Sequence, residues 1–470
     1  MPNNDIEKLN KSKGGAKIPR RAVAIVAGAA IMITTIVSPL FMGCSTAKGG
    51  LSMGTNPKGI KTVQAAYPAP TGAKLSAQEF IEGDAIWEWW DEYSKKLEAT
   101  EGLNKEALDY YNALLKNVLI KGDENTVVSP LNTYIAFAML AEVTDGNSRQ
   151  QILDMLGAKD LESLRKNVNL LWQSNYVDTP ILKSVLANSL WLNDDFNFKE
   201  ETLKNLADNY FASSFRGDPA SEAFNQALRD WTNANTGDLL TEYTKEMQMD
   251  PLTVIEMVST IYYKAEWTKH FSEGLNTEET FHGAKGDTTV TMMHNSEVSR
   301  VCVTDKFTAL KLDLERSGSM YFILPAEGYD INAVASDPET LKVLTDIEDE
   351  HWKSFMTNMS IPKFSVSSKT DLLETLRALG VTDVLSAETA DFTPITSDSD
   401  ELALTKADHA AIVEVDETGV TGAAYTEMAV CLTSIFMSDT LDFVLDEPFM
   451  FVTTGADGSV LFSGLVKNIE

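Results

Sequence analysis

The sequence has few of the residues on which catalytic and metal sites depend. Its 470 residues include five histidines, and no two of them stand at the spacing of metal ligands. The three cysteines, Cys44, Cys302 and Cys431, are too few and too scattered for a disulfide framework or a structural zinc site. It has no Gly-x-Ser-x-Gly elbow, no His-Glu-x-x-His, no phosphate-binding glycine loop and no dinucleotide fingerprint. These absences favour a protein with no metal, no cofactor and no catalytic residues.

Positive charge is also scarce. The net charge is −30, and residues 51–470 hold 32 basic and 67 acidic side chains. Such a surface repels nucleic acid, so we expect no nucleic-acid partner.

The N-terminus has the pattern of an export signal. A basic stretch at 8–21 precedes an apolar stretch at 22–42, which ends in Phe-Met-Gly-Cys. This pattern predicts a lipoprotein-type signal peptide over 1–43 and a lipid on Cys44, which anchors the protein to the extracellular face of the cell membrane. An uncleaved transmembrane helix is the alternative, since the apolar stretch is long enough to span a bilayer. Both interpretations place residues 45–470 outside the cytoplasm.

Two segments follow the signal. Residues 44–75 are rich in glycine and proline and have no apolar period, which predicts a flexible tether. Residues 76–103 predict an added N-terminal helix with Ser76 as N-cap and Glu79 completing a capping box. The helix carries an aromatic stripe that forms either core or a binding surface: Phe80, Trp87, and Trp90 or Tyr93.

The rest of the chain predicts a mixed α+β domain. Helical patterns dominate its first half and strand patterns its second half, without the regular alternation of a doubly wound parallel sheet.

A period of two runs from Val420 to Leu432. Alternate residues are small or apolar and none of them is charged, which is typical of a half-buried strand. The pattern alone leaves open whether this strand belongs to a stable sheet or enters one later.

Eight segments in order along 104–470 resemble serpins. They are Asn125–Leu140, Ala187–Trp191, Trp231–Gly237, Ile261–Phe271, Met292-Met293, Pro362–Phe364, Glu414–Gly419 with His409 before it, and Glu447–Phe449 with Phe462–Gly464. The resemblance implies a serpin fold over 104–470, with about eight or nine helices, three β-sheets and an exposed reactive-centre loop. It also implies a suicide mechanism. A protease attacks the loop and forms an acyl-enzyme, and the loop then inserts into the main sheet and traps the protease.

The resemblance assigns roles to named residues. The hinge from which the loop inserts comprises Glu417, Gly419, Val420, Thr421, Gly422, Ala423, Ala424 and Thr426. The shutter beneath the sheet comprises Ser129, Pro130, Asn132, Ser259 and His409, and the breach residue is Trp267. Asn132 and Ser259 are exchanged relative to the family pattern, so we expect them to hydrogen-bond near His409. The hinge has Gly422 where the family has alanines, which raises the entropy cost of ordering it.

The cleaved bond lies among Leu432, Thr433, Ser434, Ile435, Phe436, Met437 and Ser438. Counting forward from Glu417 favours Thr433–Ser434, and counting back from Pro448 favours Met437–Ser438. No Lys or Arg occurs between Lys406 and Lys467, so the expected target is an elastase-, chymotrypsin- or subtilisin-like endopeptidase, or a papain-like one, and not a trypsin-like one. Cys431 is either a reactive thiol or a bystander.

Two alternatives to a monomeric, lipid-anchored inhibitor remain. One is a non-inhibitory serpin that acts as a surface binding or structural protein. The other is an unrelated surface enzyme, which would turn over a substrate instead of forming a covalent complex.

Overall fold

The computed structural model describes residues 52–55, 60–346, 348–399, 401–420 and 439–470. Its helices are α1 Ala77–Glu82, α2 Ala85–Ala99, α3 Leu103–Glu106, α4 Leu108–Val118, α5 Pro130–Val143, α6 Gly146–Leu156, α7 Leu161–Asn175, α8 Glu200–Tyr210, α9 Glu222–Ala234, α10 Thr241–Thr244, α11 Ile331–Ser336, α12 Pro338–Thr345 and α13 Leu373–Ala378. Short 3-10 helices occupy Glu273–Leu275 and Asp383–Leu385.

The strands are β1 Ser52–Thr55, β2 Lys61–Gln64, β3 Thr126–Val128, β4 Val177–Asp178, β5 Lys183–Asn193, β6 Ala212–Gly217, β7 Ile255–Glu266, β8 Thr277–Gly283, β9 Gly286–Val303, β10 Phe307–Asp313, β11 Ser319–Pro325, β12 Trp352–Pro362, β13 Phe364–Asp371, β14 Asp408–Val415, β15 Gly419–Val420, β16 Thr440–Val444, β17 Phe449–Thr454 and β18 Val460–Val466.

The described strands form two nine-stranded sheets. The main sheet has the order β1-β2-β6-β5-β7-β15-β14-β13, with β4 beside β5. The second sheet has the order β16-β12-β9-β10-β11-β17-β18-β3, with β8 beside β9. The α+β class is as predicted, but the count of three sheets is wrong for the described residues. The 18-residue strand β9 pairs with β8, β12 and β10 in turn, so it joins two predicted sheets into one.

Thirteen helical segments occur in the described ranges, against the predicted eight or nine. The excess comes from short helices such as α10 and α11, which are too brief to show a period in the sequence. Helix α5 lies at the centre of the core, because all but one of its residues are buried. A helix that is apolar on every side needs protein on every side, and both sheets and α6 to α8 supply it.

The predicted tether over 44–75 is wrong at β1 and β2, while residues 66–75 form neither helix nor strand. Strand β2 pairs with β1 and with β6 at the edge of the main sheet, and Ile60, Thr62 and Ala65 are buried. A four-residue strand has too little sequence pattern to be recognised, and its partner β6 lies about 150 residues further along the chain.

The predicted N-terminal helix at 76–103 is two helices, because the chain breaks at Gly83 and α2 ends at Ala99. Ser76 and Glu79 form the predicted capping box. The aromatic stripe is partly wrong: Phe80 and Tyr93 are buried, but Trp89 is buried in place of Trp87, which is 63% exposed. The break at Gly83 shifts the helical phase, so the period across 76–99 is not continuous.

Candidate functional site

Between β7 and β14 in the middle of the main sheet, the described residues supply only a two-residue strand, β15. Strand β7 pairs with β5 along one edge, and β14 pairs with β13 along its far edge. On the edges that face each other, the only pairing among the described residues is through β15, whose two residues join Glu266, Ala265 and Val415. Below β15 no described residue pairs with either of these two edges, and we call the space between the two strands there the slot.

The slot is lined by both strands and by the end of α5. Its walls include Ser259, Ile261 and Tyr263 from β7, together with His409, Ala411 and Val413 from β14. Buried backbone groups need hydrogen-bond partners in a folded protein. A strand in the slot would pair with both edges at once.

Gly419 of the predicted hinge fits its position only because it lacks a side chain. A Cβ there would come within 2.2 Å of the Ala265 carbonyl oxygen and 2.7 Å of the Glu266 Cα. The turn before it is fixed by Asp416, whose carboxylate accepts hydrogen bonds from the Thr418 and Gly419 amides at 2.8 and 3.1 Å. Val420 follows in the slot and is 1% exposed.

Trp267, the predicted breach residue, holds the same turn from the other side. Its indole nitrogen donates to the Asp416 carbonyl at 2.9 Å, and its backbone amide donates to the Thr418 carbonyl at 2.9 Å. The ring is buried against Phe271 and Phe322. The breach is therefore the end of the slot where the hinge enters.

Glu417 of the hinge is buried and paired. Its carboxylate lies 2.8 Å from the Lys363 ammonium group and accepts a hydrogen bond from the Asn276 amide. Burial raises the pKa of this carboxyl, but the hydrogen bonds from Lys363 and Asn276 outweigh it and leave the pKa below its ordinary value. Glu417 is therefore an ionised carboxylate that Lys363 and Asn276 hold in place at the base of the loop.

The shutter residues meet beneath the other end of the slot. Ser129 is the N-cap of α5, and Pro130 follows at a position that needs no amide hydrogen. The Ser129 amide donates to His409 Nε2 at 3.1 Å. Burial lowers the pKa of His409 to about 4, so the ring is neutral and accepts through Nε2 at neutral pH.

The exchanged pair, Asn132 and Ser259, is hydrogen-bonded as predicted. The Ser259 hydroxyl contacts Asn132 Oδ1, and the Asn132 amide donates to the Ser259 carbonyl at 3.0 Å. The sequence analysis missed Asn188, whose Oδ1 lies 2.7 Å from the Ser259 hydroxyl. The available signal was Asn188 itself, an amide in the middle of the largely apolar stretch 185–192 of β5.

The remaining predicted site residues lie outside the described residues. They are Thr421, Gly422, Ala423, Ala424 and Thr426 of the hinge, Leu432 to Ser438 with the cleaved bond, Cys431, and the lipidation site Cys44.

The described part of the chain holds no group of three or more His, Cys, Asp or Glu side chains placed to bind a metal ion. None of its helices combines the length and the apolar character needed to span a bilayer.

Comparison with known proteins agrees with this geometry. The family model for serpins, described as serine protease inhibitors, matches residues 101–469. Serpin-ZX of Arabidopsis thaliana is 27% identical over 370 residues, which cover 75% of this chain and 95% of that protein. Plasminogen activator inhibitor 1 of Mus musculus is 26% identical over 373 residues, covering 73% of this chain and 87% of the relative.

Solved structures share the fold. The native state of the thermophilic serpin tengpin superposes with a TM-score of 0.69 at 23% identity, covering 77% of this chain and 93% of tengpin. The chain belongs to the serpin family. It is a serpin-type protease inhibitor by class, and members of this class generally act on proteases without being enzymes themselves.

Proposed function

We propose that this protein is a suicide inhibitor of an extracellular endopeptidase, and the observation that carries the proposal is the slot with Gly419 and Val420 already at its entrance. The protease attacks a bond among residues 432–438 and forms an acyl-enzyme. The freed loop then continues from Val420 into the slot before water releases the protease.

The register of β15 gives this insertion a definite geometry. Val420 lies opposite Ala265 of β7 and Val415 of β14. The same register continued by six residues would bring Thr426 opposite Ser259 and His409, at the shutter. The loop would then close the slot from the breach to the shutter.

The alternation of the loop matches the alternation of its neighbour. In β14 the odd-numbered residues from His409 to Val415 are buried and the even-numbered ones are not. In the continued register each buried residue of β14 faces an uncharged residue of the loop, including Gly422, Ala424 and Thr426. Ordering each inserted residue costs about 1–2 kcal/mol, and its hydrogen bonds return roughly 1 kcal/mol each. The inward side chains therefore decide whether the free energy of insertion is favourable.

The test is incubation with elastase, chymotrypsin, subtilisin, papain and trypsin, followed by denaturing gel electrophoresis. We expect a covalent complex with at least one of the first four and none with trypsin, because the loop has no Lys or Arg. Mass spectrometry of the peptide released by the trapped protease identifies the bond.

A pair of neighbouring alanines provides a matched control. Ala424→Glu places a charge on the inward face, so it should abolish the complex and leave a cleaved substrate. Ala423→Glu adds the same charge on the outward face and should leave the complex intact. Clean cleavage of the unmodified protein by every protease, without a complex and without a gain in thermal stability, would identify a non-inhibitory serpin. Equal effects of the two variants would also count against insertion.

We also propose that the protein acts at the cell surface, where a lipid on Cys44 anchors it. Replacement of Cys44 by Ala should move the protein from the membrane fraction to the soluble fraction. Membrane retention of the variant would favour the uncleaved transmembrane helix.

A further inference from the structure

An ion pair crosses the slot near its lower end, beyond the shutter. Glu256 is the second residue of β7, and Lys406 lies two residues before β14. The Lys406 ammonium group is 3.8 Å from Glu256 Oε1. The two charges therefore belong to opposite walls of the slot, and we call this pair the clasp.

The clasp lies on the face of the main sheet that is turned away from α5. Side chains alternate between the two faces of a strand, and Ser259, three residues after Glu256, contacts α5. On the other wall, His409 contacts the start of α5, whereas Lys406 lies 3.8 Å from the exposed Asp408. The α5 side of the slot is therefore occupied by the shutter, and the clasp bridges the opposite side.

Glu256 depends on Lys406 for its counter-charge. The Glu256 side chain is only 14% exposed, and Lys406 is the only cation that pairs with it in the described part of the chain. Burial raises the pKa of the Glu256 carboxyl, Lys406 opposes this shift, and the nearby Asp408 adds to it. Separation of the pair would leave a largely buried carboxylate without a cation, which is unfavourable.

The proposed insertion would bring the loop between these two charges. The register of β15 continued by nine residues places Ala429 opposite Glu256 on one side and Lys406 on the other. Residues directly opposite each other on neighbouring strands share a face, so the Ala429 methyl group would stand between the carboxylate and the ammonium group. The strands on either side of an inserted strand lie about 10 Å apart. The clasp must therefore open before insertion is complete.

We propose that Glu256 and Lys406 are positioning residues for loop insertion, and that opening of the clasp they form limits how fast the loop fills the lower slot. This inference rests on the proposed insertion mechanism and adds a step that follows the shutter. The ion pair stabilises the native form and is lost in the inserted form, because its partners stand on opposite walls.

A second ion pair nearby provides a matched control. Lys369 of β13 lies 3.0 Å from Asp408 of β14, and these two strands are paired on the same side of the slot. The Lys369 side chain is 49% exposed and that of Lys406 is 47% exposed, so solvent screens the two lysines to a similar extent. Insertion separates Lys406 from Glu256 but leaves Lys369 beside Asp408.

The experiment measures entry of a strand without a protease. A fluorescent synthetic peptide of residues 421–432 is mixed with the full-length protein, and annealing is followed by fluorescence polarisation. We expect Glu256→Gln and Lys406→Gln each to anneal about threefold faster than the unmodified protein, because a partly exposed ion pair stabilises the native form modestly. Lys369→Gln should anneal at the unmodified rate.

A double variant tests whether the two residues act as a pair. A clasp that is already broken cannot be broken again, so Glu256→Gln with Lys406→Gln should anneal no faster than the faster single variant. A high salt concentration should reduce the difference between the single variants and the unmodified protein, because salt screens the ion pair.

Unmodified rates in both single variants, or equal acceleration in Lys369→Gln, would overturn the inference and leave the inhibitor proposal standing. Accelerations that multiply in the double variant would do the same, because the two residues would then act separately. Faster annealing of the single variants without a covalent complex with any protease would support the clasp and overturn the inhibitor proposal. A peptide that enters none of these proteins would overturn both.

Discussion

The two ends of the slot are held closed in different ways. At the breach, backbone of the hinge lies between β7 and β14: Gly419 and Val420 pair with β7, Val420 also pairs with β14, and Trp267 hydrogen-bonds to the turn before them. At the shutter there is no such strand among the described residues. A small group of side chains lies there instead: Ser129, Asn132, Asn188, Ser259 and His409.

The difference indicates how insertion proceeds. The breach end needs no opening, since β15 has already set the strand spacing there. The shutter end opens only when side-chain hydrogen bonds break, each worth roughly 1 kcal/mol. Insertion is therefore nucleated at the breach and limited at the shutter. The following predictions test this contrast, from the largest expected effect to the smallest.

Gly419→Ala should prevent the hinge from pairing with β7 at the breach. The added Cβ meets backbone atoms of Ala265 and Glu266, which cannot move aside as a flexible side chain can. We expect the hinge to leave the slot and most of the protein to be cleaved as substrate, with at least a tenfold rise in the molar ratio needed for full inhibition. Titration against the target protease and gel electrophoresis measure this ratio.

Gly274→Ala is the control for that variant, because its Cβ would meet only the Ser272 hydroxyl at 3.8 Å. It should inhibit as the unmodified protein does. An unchanged ratio in Gly419→Ala would show that preinsertion at the breach is not required.

The shutter should weaken in acid through His409. Its folded pKa of about 4 lies below the 6.5 of an unfolded histidine, so the unfolded chain binds more protons between these values. The free energy of unfolding therefore falls as the pH drops through that window. Between pH 7 and pH 5 we expect a loss of about 2 kcal/mol in the unmodified protein beyond that in His409→Gln, measured by urea unfolding.

If the free energy of unfolding changes with pH by the same amount in His409→Gln as in the unmodified protein, then His409 does not set the acid sensitivity of the shutter.

Lys363→Met should destabilise the base of the hinge, with a smaller effect than the two preceding substitutions. The buried Glu417 carboxylate keeps Asn276 as a donor but loses its ion pair. Because Lys363 is 41% exposed and screened by solvent, we expect a loss of only about 1 kcal/mol in the free energy of unfolding. Lys342→Met breaks the solvent-exposed pair with Glu339 and should cost less than Lys363→Met does. Equal effects of the two substitutions would indicate that burial of Glu417 adds nothing.

The sequence predicted the capping box at Ser76 because its signal depends on residues within a few positions of each other. The shutter pair, Asn132 and Ser259, lies 127 residues apart in the chain and was predicted only through the resemblance to serpins. The sequence failed for β2, which gains its hydrogen bonds from β6, and for the single helix over 76–103, where Gly83 interrupts the phase. Asn188 was missed because its role depends on Ser259, which lies opposite it across the β5–β7 pair.

By itself the sequence determined the serpin family, the uncharged alternation of the loop and the absence of basic residues from it, since these are properties of residue order. Only the tertiary structure decided that no described strand joins β7 to β14 below β15, that the entrance to the slot admits no side chain at position 419, and that residues 60–65 pack along the main sheet. The physical reason is that strand pairing, close approach and packing are relations between segments far apart in the chain, here β7, β14 and residues 60–65.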